Sequence, residues 1–211
     1  MYYSKQHKHR SQINLVYKIS LFAGIAILIL AFPLALILPT SVSFENGFLE
    51  NSQVIVLLIG SAYNLFLIGK SIDRQIEAFH IWCSVMMIFM AFRELSWGRV
   101  FYPIALEETG PIFVAMSDFD WKIEAYVLIV FFLLFLILFM LRNLPLARMW
   151  NCSLPLTIII EMIIAIIFSY IGDHGMFLGK LQGQIVEEFG ELAFYVLIPA
   201  LCIHYHRELT N

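Results

Sequence analysis

Residues 76–100 read IEAFHIWCSVMMIFMAFRELSWGRV, and the reading of this run decides the fold. At about 1.5 Å of helical rise per residue it is long enough to cross roughly 30 Å of hydrocarbon. Its polar and small residues are not scattered. Glu77, His80, Ser84, Met87, Ala91, Glu94 and Gly98 recur at spacings of 3, 4, 3, 4, 3 and 4, which is one face of a helix. Ile81, Val85, Phe89 and Phe92 fill the remaining positions and suit lipid or apolar packing. Glu94 is therefore expected to point into a helix bundle. Arg93, about 100° round the helix, would run along a seam or snorkel outward. The run closes on Phe92-Arg93-Glu94-Leu95-Ser96-Trp97-Gly98-Arg99. Ionisable groups in lipid are costly and are functional-site hypotheses by default.

Working outward, apolar runs of similar length recur along the chain. Of 211 residues, 61% are hydrophobic and 14% charged, whereas an ordinary globular domain is nearer half apolar. The expected architecture is all-α, an integral membrane bundle of six transmembrane helices in a single domain, 1–211. The spans fall at about 14–38, 51–69, 76–100, 122–141, 153–172 and 184–204. The first run, Ile19 to Leu38, exceeds the roughly 7–15 apolar residues of a signal core, so it reads as an uncleaved span. Pro33 would kink it and Pro39 end it.

Each remaining span has a legible face. The second aligns Gln53, Leu57, Gly60 and Asn64, a stripe suited to helix contact in lipid. The fourth is rich in Phe and Leu, with almost no small residues after Ala125, and reads as lipid-facing. The fifth aligns Thr157, Glu161, Ala165, Ser169 and Gly172 or Asp173, with Glu161 as its deepest charge. The sixth aligns Gln184, Glu188, Glu191, Tyr195, Pro199, Cys202 and His206. Residues 101–121 read as one long loop, with Trp97, Tyr102 and Trp121 as an interfacial aromatic belt.

Charge sets the orientation. The N-terminal segment with Lys18, the 2–3 and 4–5 connections and the C-terminal tail hold nine Lys/Arg; the opposite side holds four, Arg93, Arg99, Lys122 and Lys180. Positive-inside bias then places both termini in the cytoplasm of a multi-pass inner-membrane protein. Twelve of the sixteen acids fall on the outer side, among them Glu45, Glu107, Glu108, Asp118 and Asp120. Such a face concentrates cations. Cys83, Cys152 and Cys202 lie in or near the cytoplasmic half and read as buried, reduced thiols.

The candidate site pairs the 92–99 segment with Gln184-Ile185-Val186-Glu187-Glu188-Phe189-Gly190-Glu191. Glu94 and Glu191 are expected at similar depth, on facing helices, with Arg93, Arg99 or a cation between them. The full set is an outward-facing carboxylate-rich site between spans 3, 5 and 6. Its metal-ligand candidates are Glu94, Glu188, Glu191, Asp173 and His174; its other polar members are Arg93, Ser96, Trp97, Arg99, Glu161, Glu187, Tyr195 and His80. Carboxylate oxygens suit a hard divalent cation. Zinc prefers His and Cys, and the outer half offers only His174. His80 and His206 stand on the same stripes toward the cytoplasmic ends, a pair that would allow haem but reads better as interface histidines. A buried carboxyl also suits general acid or proton-relay work. Nucleotide, hydrolase and zincin fingerprints do not occur, and nothing points to nucleic acid.

Arg93-Glu94-x-x-Trp97 followed by Phe101, with the late Glu187-Glu188-x-x-Glu191, resembles a group of uncharacterised polytopic inner-membrane proteins of bacteria. The likeness covers two short segments, about a tenth of the chain. In that group an acidic residue often stands where this chain has Ser96, which counts against a shared metal site. The resemblance implies a bacterial cytoplasmic-membrane protein and implies no activity.

Three functions are open to this pattern. One is a membrane protein handling a cation or protons through Glu94, Glu161 and Glu191. The second is a membrane-embedded enzyme acting on a lipid or envelope substrate. The third is a structural or accessory subunit held by an ion-pair network, with a membrane-protein partner or a second copy of itself in the bilayer.

Overall fold

The computed structural model describes residues 2–71, 73–107 and 110–210, with side chains described for 13–71, 73–105 and 111–210. The chain is 82% helical. In order, the described residues form α1 (Tyr2–Ile37), α2 (Phe48–Ile68), α3 (Arg74–Glu94), the strands β1 (Pro103–Glu107) and β2 (Gly110–Phe113), then α4 (Lys122–Asn143), a short α5 (Leu146–Trp150), α6 (Leu156–Asp173) and α7 (Gly179–Thr210). By length and apolar composition, five segments among the described residues can cross a membrane: Ile13–Ile37, Thr40–Ile68, Arg74–Glu94, Lys122–Asn143 and Leu156–Asp173. The expected sixth span lies in α7, which is not one of them. Glu187, Glu188 and Glu191 crowd its first half, and Arg207 and Glu208 its last turns.

The stretch read as one domain is built of two compact units, Met1–Ser43 with Cys152–Asn211, and Phe44–Asn151. In the first unit, α7 packs against both α1 and α6. Small residues make the α6–α7 approach close. A Cβ on Gly190 would lie 2.6 Å from the backbone nitrogen of Ser169 and 2.8 Å from the carbonyl oxygen of Ala165. One on Gly172 would run into the backbone of Glu187 and Gly183. Backbone-to-backbone contact of this kind is how helices gain packing energy where burial of apolar surface gives little. Two apolar layers link the three helices. Ile158, Leu197 and Ala200 pack with Tyr17, Leu21, Met162 and Leu201; Leu28, Ala165 and Ala193 pack with Ile27, Phe168 and Phe194.

The entry to α6 is fastened to the end of α7. His204 Nε2 donates to the Ser153 carbonyl at 2.7 Å, and the Ser153 N–H donates to Glu208 Oε2 at 3.2 Å. That backbone donor holds the Glu208 carboxyl below the usual range.

In the second unit α2 and α3 pair closely. Gln53, Leu57, Gly60 and Asn64 are all buried, as the α2 stripe requires. On α3, His80, Ser84, Met87, Ala91 and Glu94 are buried, while Ile81 and Phe92 are exposed. Asp73 caps α3 by accepting from the Gln75 N–H at 2.8 Å and pairs with Arg148 of α5 at 2.6 Å. Only Ala125 and Leu136 of α4 are buried, which fits a helix that faces lipid. Trp82 Nε1 donates to the Leu136 carbonyl at 3.2 Å, and Phe89 stacks on Phe132 with ring centroids 5.4 Å apart.

Several expectations need correction. The helix of residues 76–100 ends at Glu94, so Gly98 is not on its face. Ser96, Trp97 and Gly98 turn left-handed (φ 46°, 57° and 89°) inside a 3₁₀ segment, Ser96–Phe101. The loop of 101–121 contains the antiparallel β1–β2 hairpin. The polar residues ahead of the first apolar run are helical and belong to α1, which begins at Tyr2. Thr157 and Gln184 are exposed, off the buried faces assigned to them. Glu108 lies outside the described residues.

Candidate functional site

Glu161 is the sixth residue of α6 and is only 6% exposed. Measured along α6, it sits about 8 Å from the helix start, shallower than a mid-span position. Its neighbour on α1 lies near the middle of that helix's apolar segment. Gly24, eleven residues into the apolar segment Ile13–Ile37, is where α1 meets it. A Cβ on Gly24 would stand 3.3 Å from Glu161 Oε2 and 3.0 Å from Leu197 Cδ2. The carboxyl is thus enclosed by α1, α6 and α7. Neither of its oxygens has a hydrogen-bond partner among the described residues. Buried polar groups are nearly always satisfied, so this one stands out.

Toward the far end of the same unit, the other acids are wetter. Asp173 and His174 are exposed at the α6 terminus, 3.6 Å apart, with His174 Nδ1 donating to the Tyr170 carbonyl at 2.9 Å. Glu187 lies within electrostatic reach of Asp173, His174 and Glu191. Glu187, Glu188 and Glu191 are half-buried, and Tyr195 is buried. At helical rise, Glu191 is about 9 Å along α7 from Leu197, the residue level with Glu161.

The remaining candidates belong to the second unit. Glu94 is 8% exposed and accepts from Arg93 Nε at 2.9 Å and Nη2 at 2.8 Å. The Arg93 side chain is 55% exposed while it pairs with its neighbour. Arg99 does not go to Glu94. Its Nη2 donates to Glu45 Oε1 at 2.7 Å, and Ser96 Oγ donates to the same oxygen at 2.9 Å. Trp97 packs edge-on against Phe89 at 5.0 Å, which anchors the left-handed segment. His80 is fully buried, its Nδ1 at 2.8 Å from Asn64 Oδ1. Because Asn64 Nδ2 donates to the Gly60 carbonyl, the amide is oriented and His80 Nδ1 is the donor.

The sequence reading overlooked three of these partners. Glu45 reads only as one of the outer acids and Asn64 as part of a packing stripe, and Gly24 carries no signal. Each meets its partner across a long sequence separation. Among the described residues, no three His, Cys, Asp or Glu side chains come together in a way that would hold a metal ion. No protein-family model, curated protein or solved structure matches the chain.

Chemically, the two buried carboxyls differ. Glu94 is held by a guanidinium at its Oε1 and acts as an ion pair. Glu161 lies between apolar neighbours with neither oxygen hydrogen-bonded by a described residue, where a bare charge is costly.

Proposed function

We propose that this chain is an integral protein of the cytoplasmic membrane that handles protons or a small cation through carboxyl groups within its helices. In this reading α7 supplies a sixth span, and both termini face the cytoplasm. The observation that carries it is Glu161, buried beside Gly24 and Leu197 with no hydrogen-bond partner for either oxygen among the described residues. A chain selected only for stability gains nothing from a lone carboxyl there, because leucine would fill the same space at no desolvation cost. The half-buried Glu187 and Glu191 lie on the α7 turns between that cage and the exposed Asp173 and His174, a graded series of acids for exchange with water.

The test is flux. Purified protein in liposomes loaded with a pH-sensitive dye, under an imposed potential, is expected to pass protons, and Glu161→Gln to lose that flux at equal incorporation. Equal flux in both proteins, or none in the wild type, would contradict the reading.

A second reading, an enzyme acting on a lipid or envelope substrate, is favoured by one observation. Ser96 and Trp97 hold left-handed backbone beside the Glu45–Arg99 pair, and such strain clusters at functional sites. It requires a product that disappears in Glu94→Gln or Arg99→Gln without loss of protein.

A further inference from the structure

We infer that the occupant of the Glu161 site is a proton and not a metal cation, and that Gly24 is the residue that leaves room for the un-ionised carboxyl. This rests on the proton- or cation-handling reading above and decides between its two substrates. A hard cation must replace its water with about six oxygen ligands. Glu161 offers two, and among the described residues no three His, Cys, Asp or Glu side chains come together to complete such a shell. The titratable groups nearest in sequence to the contact positions are Tyr17 and Lys18 on α1 and Glu191, Tyr195 and Cys202 on α7; none of them hydrogen-bonds to Glu161.

Space argues the same way. The α1 backbone comes so near that one methyl on Gly24 would stand 3.3 Å from Oε2. No ion with a partial water shell fits on that side. A proton needs no additional volume, and it removes the charge that the apolar layers cannot solvate. Loading is then a simple addition of H⁺ to the carboxylate, and unloading is its loss to water or to the next acid on α7.

Infrared spectroscopy of the full chain in lipid nanodiscs at neutral pH tests this. The expected result is a carbonyl band of an un-ionised carboxyl that is lost in Glu161→Gln and unmoved by sodium, potassium or magnesium chloride at fixed pH. If Glu161→Gln does not assemble, Glu161→Asp carries the same reading, because it should shift the band. Absence of a Glu161-dependent band, an unshifted band in Glu161→Asp, or its replacement by carboxylate bands on adding any of the three salts would overturn the inference. A band without Glu161-dependent flux in liposomes keeps this assignment and overturns the transport reading. Flux with a salt-sensitive band does the reverse.

Discussion

Glu94 accepts a hydrogen bond from Arg93 and is ion-paired with it, whereas Glu161 accepts none from the described residues. The contrast predicts different costs for the same substitution. Glu94→Gln removes a charge-assisted pair and should lower stability by about 1–3 kcal/mol. Glu161→Gln replaces an un-ionised acid by an amide of the same shape and should cost less than about 1 kcal/mol. Thermal unfolding in detergent compares them. If Glu161→Gln abolishes assembly while Glu94→Gln is tolerated, Glu161 is an ionised, paired group and the proton reading loses its residue. Asp73 gives a pH prediction. Its hydrogen bonds from Arg148 and from the Gln75 N–H hold the carboxyl below its ordinary value of 3.8. A depressed folded value means the contribution is complete above that ordinary value and is lost as pH falls through the folded one. The group is solvent-screened, so Asp73→Asn should cost about 1 kcal/mol at neutral pH. The variant's deficit should vanish in acid. A deficit that does not shrink at all as the solution is acidified would contradict the assignment.

At the scale of elements, the α6–α7 seam makes the sharpest claim. Gly190 and Gly172 leave no room for a methyl, so Gly190→Ala must push the helices apart and should cost about 1–3 kcal/mol or more. Gly24→Ala meets the flexible Leu197 side chain and the Glu161 carboxyl, and should disturb function more than stability. Wild-type unfolding in Gly190→Ala would show that the helices do not touch there. These elements also show what a sequence reveals. The buried face of α3 was readable because one period of small and polar residues ran through it. Its end was not, because Ser96 and Trp97 have no intrinsic preference for left-handed backbone, and Gly98 read equally well as one more residue on the face. The β1–β2 hairpin was hidden in the same way: its strands are five and four residues long, too short for alternation to register. The Glu45–Arg99 pair joins residues 54 apart, which no local period can encode.

For the whole molecule, the helical, apolar class was legible from composition alone, since five segments are long and apolar enough to cross a bilayer. The division into two units was not, because the first unit joins the two ends of the chain around the second in sequence. Orientation rests on the nine-to-four split of basic residues. A single cysteine at Asn46 should label from outside in intact cells, and one at Ser4 should not. Protection at Asn46 with labelling at Ser4 would reverse the topology and turn the acidic face to the cytoplasm. The central claim is that Glu161, alone among the buried acids, is held un-ionised in an apolar cage. A hydrophobic carbodiimide adds across un-ionised carboxyls, so the most direct measurement is the site it modifies in native membranes, read by peptide mass spectrometry. Modification at Glu161 that falls as the pH is raised is the result this account predicts. Modification confined to Glu94 or to the α7 acids, with Glu161 untouched, would contradict it.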